Sequence, residues 1–239
     1  INWVKQDGFY GMVHTAHRTP KPTTFDQPIC WLPKNMDNSG GGQVWVTSDK
    51  WGPLKDHMLF MSYGRANLLH VMHEEVDGQI QAAFTQFPFK FSTGVMRARF
   101  NPQDGQLYLC GLRGWQTDAP RNGGFYRVRY TGKQANMASE VHALKNGLQI
   151  TFTTPLDETS ATTLENYSME WWNYKWTQDY GSPEFSVSDP TQKKHDAVEI
   201  KSVKLLPNKK TIFLEIPDIT PVNQYKLKAK LTAADGSLI

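Results

Sequence analysis

Short apolar runs separated by turn-forming residues fill the first half of the chain. The runs alternate or stay apolar over four to eight residues, which is typical of β-strands that are half or fully buried. They are VWVT (44–47), MLFMS (58–62), LLHVMH (68–73), 80–84, 96–100, 106–110 and 125–130. Asp-Gly, Gly-Gly or proline turns lie between them, and Asp-Gly between apolar runs is a strong hairpin signal. Since no amphipathic helical period interrupts the runs, the pattern predicts an all-β fold.

A weak internal repeat narrows the choice among all-β architectures. Residues 68–87 and 96–115 each read as strand, Asp-Gly turn and strand, about 28 residues apart. Regular strand spacing is compatible with a sandwich, a barrel or a propeller. A propeller blade takes about 40–45 residues and four strands, so residues 1–133 have room for about three blades.

The second half reads as a small antiparallel sandwich. Strand patterns occupy 144–157, 197–206, 209–217 and 225–233, and the acidic stretch 156–167 predicts a loop or one helical turn. In the last strand, apolar residues alternate with Lys226, Lys228 and Lys230, which predicts one buried face and one solvated face. The lysines suit an edge or solvent face, because charge discourages edge pairing.

Composition places a boundary near residue 134. Residues 1–133 hold 15 of the 18 glycines and all 8 arginines, whereas residues 134–239 hold no arginine. We therefore predict two domains, 1–133 and 134–239, with a polar linker at 131–140. The net charge of +3 is small, so nucleic acid is not an expected partner. No apolar run reaches the length of a membrane span.

The chain termini and the cysteines give little information about location or fold. The sequence opens at Ile1 without a start methionine or signal peptide, so we expect a fragment whose missing targeting signals carry no information about location. Two cysteines are too few for a disulfide framework. A single bridge between Cys30 and Cys110 and two buried free thiols both fit the sequence.

An aromatic-rich segment marks the second half. YSMEWWNYKWTQDY (167–180) contains three tryptophans and three tyrosines. Strand alternation puts Trp172, Tyr174 and Trp176 on one face, with 169, 171 and 173 on the other. One set is expected to fill the sandwich core. The other forms either an interdomain packing surface or an aromatic platform that binds carbohydrate, because exposed aromatic patches mark interaction sites.

Motifs in the first half resemble one family of propeller enzymes. They are INWVKQDGFYGMV (1–13), ICWLP (29–33), NSGGGQVWV (38–46), SYGRANLLHV (62–71), FSTGVMRARFNPQDGQLYLCGLRGWQ (91–116) and GGFYRVRYTGK (123–133). Together they are similar to the C-terminal part of the PQQ-dependent glucose/sorbosone dehydrogenase propellers, of the kind found in large secreted bacterial proteins with cytochrome c modules. The second half resembles bacterial Ig-like modules. The resemblance implies an incomplete β-propeller followed by an Ig-like β-sandwich.

The resemblance also implies ligands and a function. For the full-length parent it implies PQQ and calcium, a sugar or polyol substrate, a cytochrome c-type electron acceptor, and a periplasmic or secreted location. The family's catalytic histidine and calcium ligands come from earlier blades, so no metal site and no bound cofactor are expected in this chain. The expected function is a fragment, inactive alone, of a PQQ-dependent sugar or alcohol dehydrogenase-like oxidoreductase. The alternative is a non-catalytic propeller plus Ig-like module for carbohydrate binding or protein scaffolding.

Three residues carry the expected cofactor contacts. Trp31 resembles the family's tryptophan beside PQQ, and Arg97 matches the second of two arginines before the Asp-Gly turn. Arg65 lies next to the position of the family's lysine, which is Gly64 here. Each residue also has an ordinary structural interpretation. Trp31 can be a buried aromatic residue, and Arg97 can belong to a solvated strand face with acidic partners across the sheet.

The sequence departs from the family pattern at two of these places. Pro33 replaces a threonine near the tryptophan and removes a hydroxyl, and Val95 replaces the first arginine and cannot bind an anion. Two H-x-x-H patterns also occur. His70 and His73 lie in a predicted strand, where residues three apart point to opposite faces. His14 and His17 lie in a predicted loop, where either a ligand role or a surface role is open.

Overall fold

The computed structural model describes residues 1–11, 13, 16–177 and 181–239. About 40% of the chain is strand and 6% helical, in several antiparallel sheets. Within the described residues, none of these sheets closes into a barrel. The all-β prediction is therefore confirmed.

Seven strands form two sheets in the first part of the chain. They are β1 Gly40–Trp45, β2 Met58–Ser62, β3 Asn67–Val76, β4 Gln79–Gln86, β5 Gly94–Phe100, β6 Leu107–Leu112 and β7 Gly123–Val128. The first sheet has the order β1-β2-β3-β4 and the second has the order β5-β6-β7. A 3₁₀ helix at Asp49–Leu54 connects β1 to β2, and Ser48 caps it by accepting from the Lys50 N–H.

The first sheet is covered on both faces. All of β2 and the first six residues of β3 are buried, as expected for strands without a solvated side. One face packs against the second sheet through residues such as Leu59, Met61 and Leu107. The N-terminal segment covers the other face through Ile29 and Cys30.

Two sheets, rather than three, account for the described strands before residue 133. The described residues before Gly40 contain no strand, so this segment packs as irregular chain where a further sheet was expected. The repeated hairpins also take different places. Residues 68–87 lie in β3 and β4, the third and fourth strands of the first sheet, whereas residues 96–115 contain most of β5 and all of β6, the first two strands of the second.

Eight strands and two short helices form the second part. They are β8 Ala138–Leu144, β9 Gly147–Phe152, α1 Glu158–Thr162, a 3₁₀ turn Leu164–Asn166, β10 Tyr167–Tyr174, β11 Glu184–Phe185, β12 Asp196–Val198, β13 Ser202–Leu205, β14 Thr211–Glu215 and β15 Gln224–Ala229. Asp157 caps α1 by accepting from the Ser160 N–H at 3.0 Å. Strand β8 begins inside the predicted linker, because its backbone pairs with β9 despite its polar sequence.

Two sheets enclose the core of the second part. One has the order β13-β14-β9-β8, and in the other β10 pairs with β11, β12 and β15. Alternate residues of the inner strands fill the space between them, including Ile150, Met169 and Ile212, and Leu231 after β15 joins this core. This arrangement is a β-sandwich. Among the described residues, no helix is both long enough and apolar enough to cross a membrane.

Candidate functional site

Arg65 lies in the turn between β2 and β3 and binds two other loops, through Lys34 and Asp118. Its Nε and Nη2 donate to the Lys34 carbonyl oxygen at 3.1 and 2.7 Å. Its Nη1 lies 3.1 Å from both carboxylate oxygens of Asp118. Most of the guanidinium's donors are therefore occupied by the protein itself.

A buried carboxyl lies beside this turn. Asp37 is only 7% exposed and accepts from the Ser62 hydroxyl and from the Ser39 N–H. Burial raises the pKa of Asp37 above its ordinary value, and its hydrogen bonds oppose that shift. Ser62 Oγ in turn accepts from the Arg65 N–H at 3.0 Å. The turn is thus held by a network of side chain to backbone bonds.

Arg97 lies where the edges of the two sheets converge. Its Nη1 donates to the Gly41 carbonyl oxygen on β1 and to the Met96 carbonyl oxygen, the latter at 2.7 Å. A bulge between Val95 and Arg97 interrupts the pairing of β5 with β6. At Gly41 the strands are so close that a Cβ atom would overlap the Val95 carbonyl oxygen. Arg97 therefore bridges β1 and β5.

The exposed face of β5–β7 carries further cations. Arg99 lies opposite Tyr108, which lies opposite Arg127 on β7. Arg97 lies opposite Cys110, which lies opposite Phe125. In the pairing of β5 with β6, neither Arg97 nor Arg99 lies opposite an acidic residue. Among the described residues, Arg65 is the only arginine with a carboxylate within 4.0 Å.

Trp31 packs against the second part of the chain. Its ring centroid lies 4.8 Å from that of Tyr174 and 6.1 Å from that of Phe25. Burial raises the pKa of Tyr174 to about 12. The structure thus brings together one residue of the predicted cofactor set and one of the predicted aromatic platform.

Trp176 extends the same aromatic contact. Its ring lies 5.2 Å from Phe25 and 6.5 Å from Phe9, and its Nε1 donates to the Gly11 carbonyl oxygen at 3.1 Å. Both phenylalanines belong to the N-terminal segment. We name the rings of Phe9, Phe25, Trp31, Tyr174 and Trp176 the aromatic interface.

Trp172 lies next to the aromatic interface, with its ring centroid 6.5 Å from that of Tyr174, and only 1% of Trp172 is exposed. It stacks on His195, with ring centroids 3.8 Å apart and planes inclined by 9°. His195 faces two carboxylates, with Nε2 2.8 Å from Glu184 and Nδ1 3.3 Å from Glu170. Lys226 donates to Glu170 at 2.6 Å and holds the pKa of that carboxyl below its ordinary value.

A polar contact joins the two parts at a second place. Glu74 on β3 accepts from the Ala143 N–H on β8 at 2.8 Å and lies 3.0 Å from His142 Nδ1. Gln81 also donates to Glu74 at 2.8 Å. The carboxylate therefore binds a strand of the sandwich through its backbone.

A buried histidine, His70, pairs with the half-buried His57. His57 Nδ1 and His70 Nε2 are 2.6 Å apart and the rings stack. Burial lowers the pKa of His70 to about 3, with a further contribution from His57, and it also lowers the pKa of His57. His73 is exposed, on the opposite face of β3. His14 lies outside the described residues, and His17 is exposed.

The two cysteines are free and differ in environment. Cys30 is buried, and desolvation raises the pKa of its thiol to about 11. Cys110 lies on the exposed face of β6, so the expectation of two buried thiols was wrong for this residue. Strand alternation explains the difference, because Leu107 and Leu109 take the inward positions of β6.

The predicted cofactor residues do not form one site by themselves. Trp31 is packed between Phe25 and Tyr174, while Arg65 and Arg97 donate to different groups of the protein. No contact joins the three residues within the described ranges.

The sequence identified three of the five residues of the aromatic interface. Trp31, Tyr174 and Trp176 were singled out, but Phe9 and Phe25 were not, because they lie in chain without periodicity. Glu74 and His195 were also missed. Each lies in a locally polar stretch, and only the tertiary fold brings its partners into contact.

Comparison with known proteins adds no assignment. No protein-family model, no curated protein and no solved structure matches the chain.

Proposed function

We propose that the chain is a non-catalytic β-module that acts as a rigid scaffold for protein partners. The observation that carries this proposal is the aromatic interface, in which Trp31 and Tyr174 join the two parts with ring centroids 4.8 Å apart. Large aromatic contacts of this kind stabilise interfaces strongly. The hydrogen bond from the β8 backbone to Glu74 is a second contact between the two parts.

The state of the predicted site residues also favours a scaffold. Arg65 and Arg97 already donate to carboxylate or carbonyl oxygens of the chain. The rings of Tyr174 and Trp176 face Trp31 and Phe25, which favours interdomain packing over sugar stacking. A module built in this way holds the surfaces of its two parts in a fixed relative position.

Rigidity is the property to measure. NMR relaxation of the whole chain should give one rotational correlation time for both parts, and the double variant Trp31→Ala/Trp176→Ala should give two shorter ones. Trp115→Ala is the matched control, because this tryptophan is 64% exposed and lies away from the interface. Independent tumbling of the two parts in the unmodified chain would overturn the scaffold proposal.

A second candidate is the oxidoreductase that the sequence resemblance implies for the full-length parent. Its support is the convergence of β1 and β5, because Arg97 lies at that edge and the inner strands of a propeller converge in the same way around the channel. PQQ and calcium, added to the parent with a panel of sugars and a dye acceptor, test this candidate. Absence of both dye reduction and PQQ binding would exclude it.

A further inference from the structure

The second sheet is one strand narrower than the sheet it packs against. The first sheet has four strands and the second has three, ending at β7. Strand β7 pairs with β6 on one side. Among the described residues, no other backbone group bonds to β7 residues 123–128. Its outer edge therefore presents a row of unpaired N–H and C=O groups.

Two other outer edges of the described sheets, those of β4 and β15, are covered or carry lysine. At β4, the Ala82 N–H donates to the Ile29 carbonyl oxygen at 2.7 Å, so the N-terminal segment covers part of that edge. At β15, Lys226 and Lys228 lie along the strand. Strand β7, Gly123–Val128, contains neither proline nor lysine. Its edge is thus open to pairing.

The side chains around this edge define what can pair there. Phe125 is 71% exposed and Arg127 is exposed on the outer face, whereas Tyr126 and Val128 are partly buried on the inner face. The inner pair packs against the apolar cluster between the two sheets. Arg127 has no carboxylate within 4.0 Å in the described part of the chain.

We propose that β7 accepts a fourth strand from an extended acidic peptide of a partner protein. The alternate residues of the peptide are apolar, to extend the layer of Tyr126 and Val128, and acidic, to lie beside Arg127. Strand addition of this kind takes affinity from backbone hydrogen bonds and selectivity from alternate side chains. This names a partner class for the scaffold, so it rests on the function proposed above.

Charge argues against a second copy of the chain as the occupant. Strand β7 contains no acidic residue, so two β7 edges paired with each other would leave Arg127 without a carboxylate partner. In a register that sets Arg127 opposite its own copy, the like charges would be destabilising. An acidic strand instead gives Arg127 an oppositely charged neighbour.

The test uses a fluorescein-labelled ten-residue peptide of alternating valine and glutamate, with binding to the whole chain followed by anisotropy. Arg127→Glu should weaken binding roughly tenfold, since it replaces an attractive cross-strand pair with a repulsive one. Lys228→Glu on β15 is the matched control, because it makes the same charge change on another exposed strand and should leave affinity unchanged.

Two further peptides separate strand pairing from simple charge attraction. A peptide of alternating valine and lysine should bind Arg127→Glu better than it binds the unmodified chain. A valine-glutamate peptide that is N-methylated at every second residue on its pairing edge should not bind, because it lacks the N–H donors.

Hydrogen exchange locates the bound peptide. Protection of alternate β7 amides on peptide addition is the expected result. Equal affinity for the N-methylated peptide, protection confined to other strands, or no binding at about 1 mM peptide would each overturn the proposal. These results would leave the relaxation test of rigidity unaffected, so failure here is distinguishable from failure of the scaffold function.

Discussion

The indole ring of Trp31 packs on the phenol ring of Tyr174, with centroids 4.8 Å apart and planes inclined by 31°. Trp31 lies in the N-terminal segment that covers the first sheet, and Tyr174 ends β10 of the sandwich. The pair therefore links the two parts of the chain directly.

This pair should show energetic coupling. In a double-mutant cycle of Trp31→Ala and Tyr174→Ala, we expect a coupling free energy of about 1 kcal/mol, as measured for other aromatic pairs. Urea unfolding of the four proteins measures it. The same cycle on Trp31 with Trp115, which is not among its ring partners, should give a value near zero.

Glu74 should contribute more to stability than its neighbour. Glu74→Ala leaves the Ala143 N–H without its acceptor, which costs about 1–3 kcal/mol when the donor stays buried. Glu75→Ala is the control, because Glu75 is exposed, and a change within about 0.5 kcal/mol is expected. Thermal or urea unfolding distinguishes them. Equal losses for the two variants would show that the contact with β8 adds nothing.

The free energy of unfolding should fall as the solution becomes acidic, because His70 is buried beside His57. Burial holds the pKa of His70 at about 3 in the folded chain, while an unfolded histidine titrates near 6.5. Below that value the unfolded chain binds a proton that the folded chain does not. The contribution of His70 is thus complete above about pH 6.5 and declines towards pH 3, by about 1.4 kcal/mol per pH unit.

The variant His70→Gln removes this titration. Unfolding free energies measured from pH 7 to pH 4.5 should show a shallower decline for the variant than for the unmodified chain. His17→Gln serves as the control because His17 is exposed. This substitution should leave the dependence of the unfolding free energy on pH unchanged. An unaltered slope in His70→Gln would contradict the assigned shift of the His70 pKa.

The cysteines should differ in reactivity under native conditions. Cys110 is exposed, whereas Cys30 is buried and has its thiol pKa raised to about 11, so it holds little reactive thiolate at neutral pH. Iodoacetamide should modify one thiol quickly and the second only after unfolding. Mass spectrometry of the Cys110→Ser variant checks the assignment, because the fast reaction should then disappear.

Local pattern was sufficient to predict most strands. The run 58–62 coincides with β2, and the runs at 68–73 and 80–84 lie inside β3 and β4, because alternation and Asp-Gly turns are encoded in neighbouring residues. The pattern could not show that the described residues before Gly40 form no strand, since packing of Ile29 and Cys30, without periodicity, places this segment on the first sheet.

The contacts of the candidate residues were less predictable. Alternation placed Trp172, Tyr174 and Trp176 on one face, and in the structure the Tyr174 ring contacts that of Trp172 while the Trp176 ring contacts that of Phe25. It gave no information on Phe25 or His195, which meet these rings only after the chain folds back. Arg97 was a candidate anion ligand, and its Nη1 donates to the carbonyl oxygens of Gly41 and Met96 beside a bulge in β5, which the local pattern did not predict.

The missing side chain at Gly41 allows β1 and β5 to approach closely. Any Cβ atom there would overlap the Val95 carbonyl oxygen, so even alanine would force the edges of β1 and β5 apart. The Arg97 guanidinium would then lose the Gly41 carbonyl oxygen as a hydrogen-bond partner. A single methyl group would thus change both the approach of β1 to β5 and the position of the Arg97 charge.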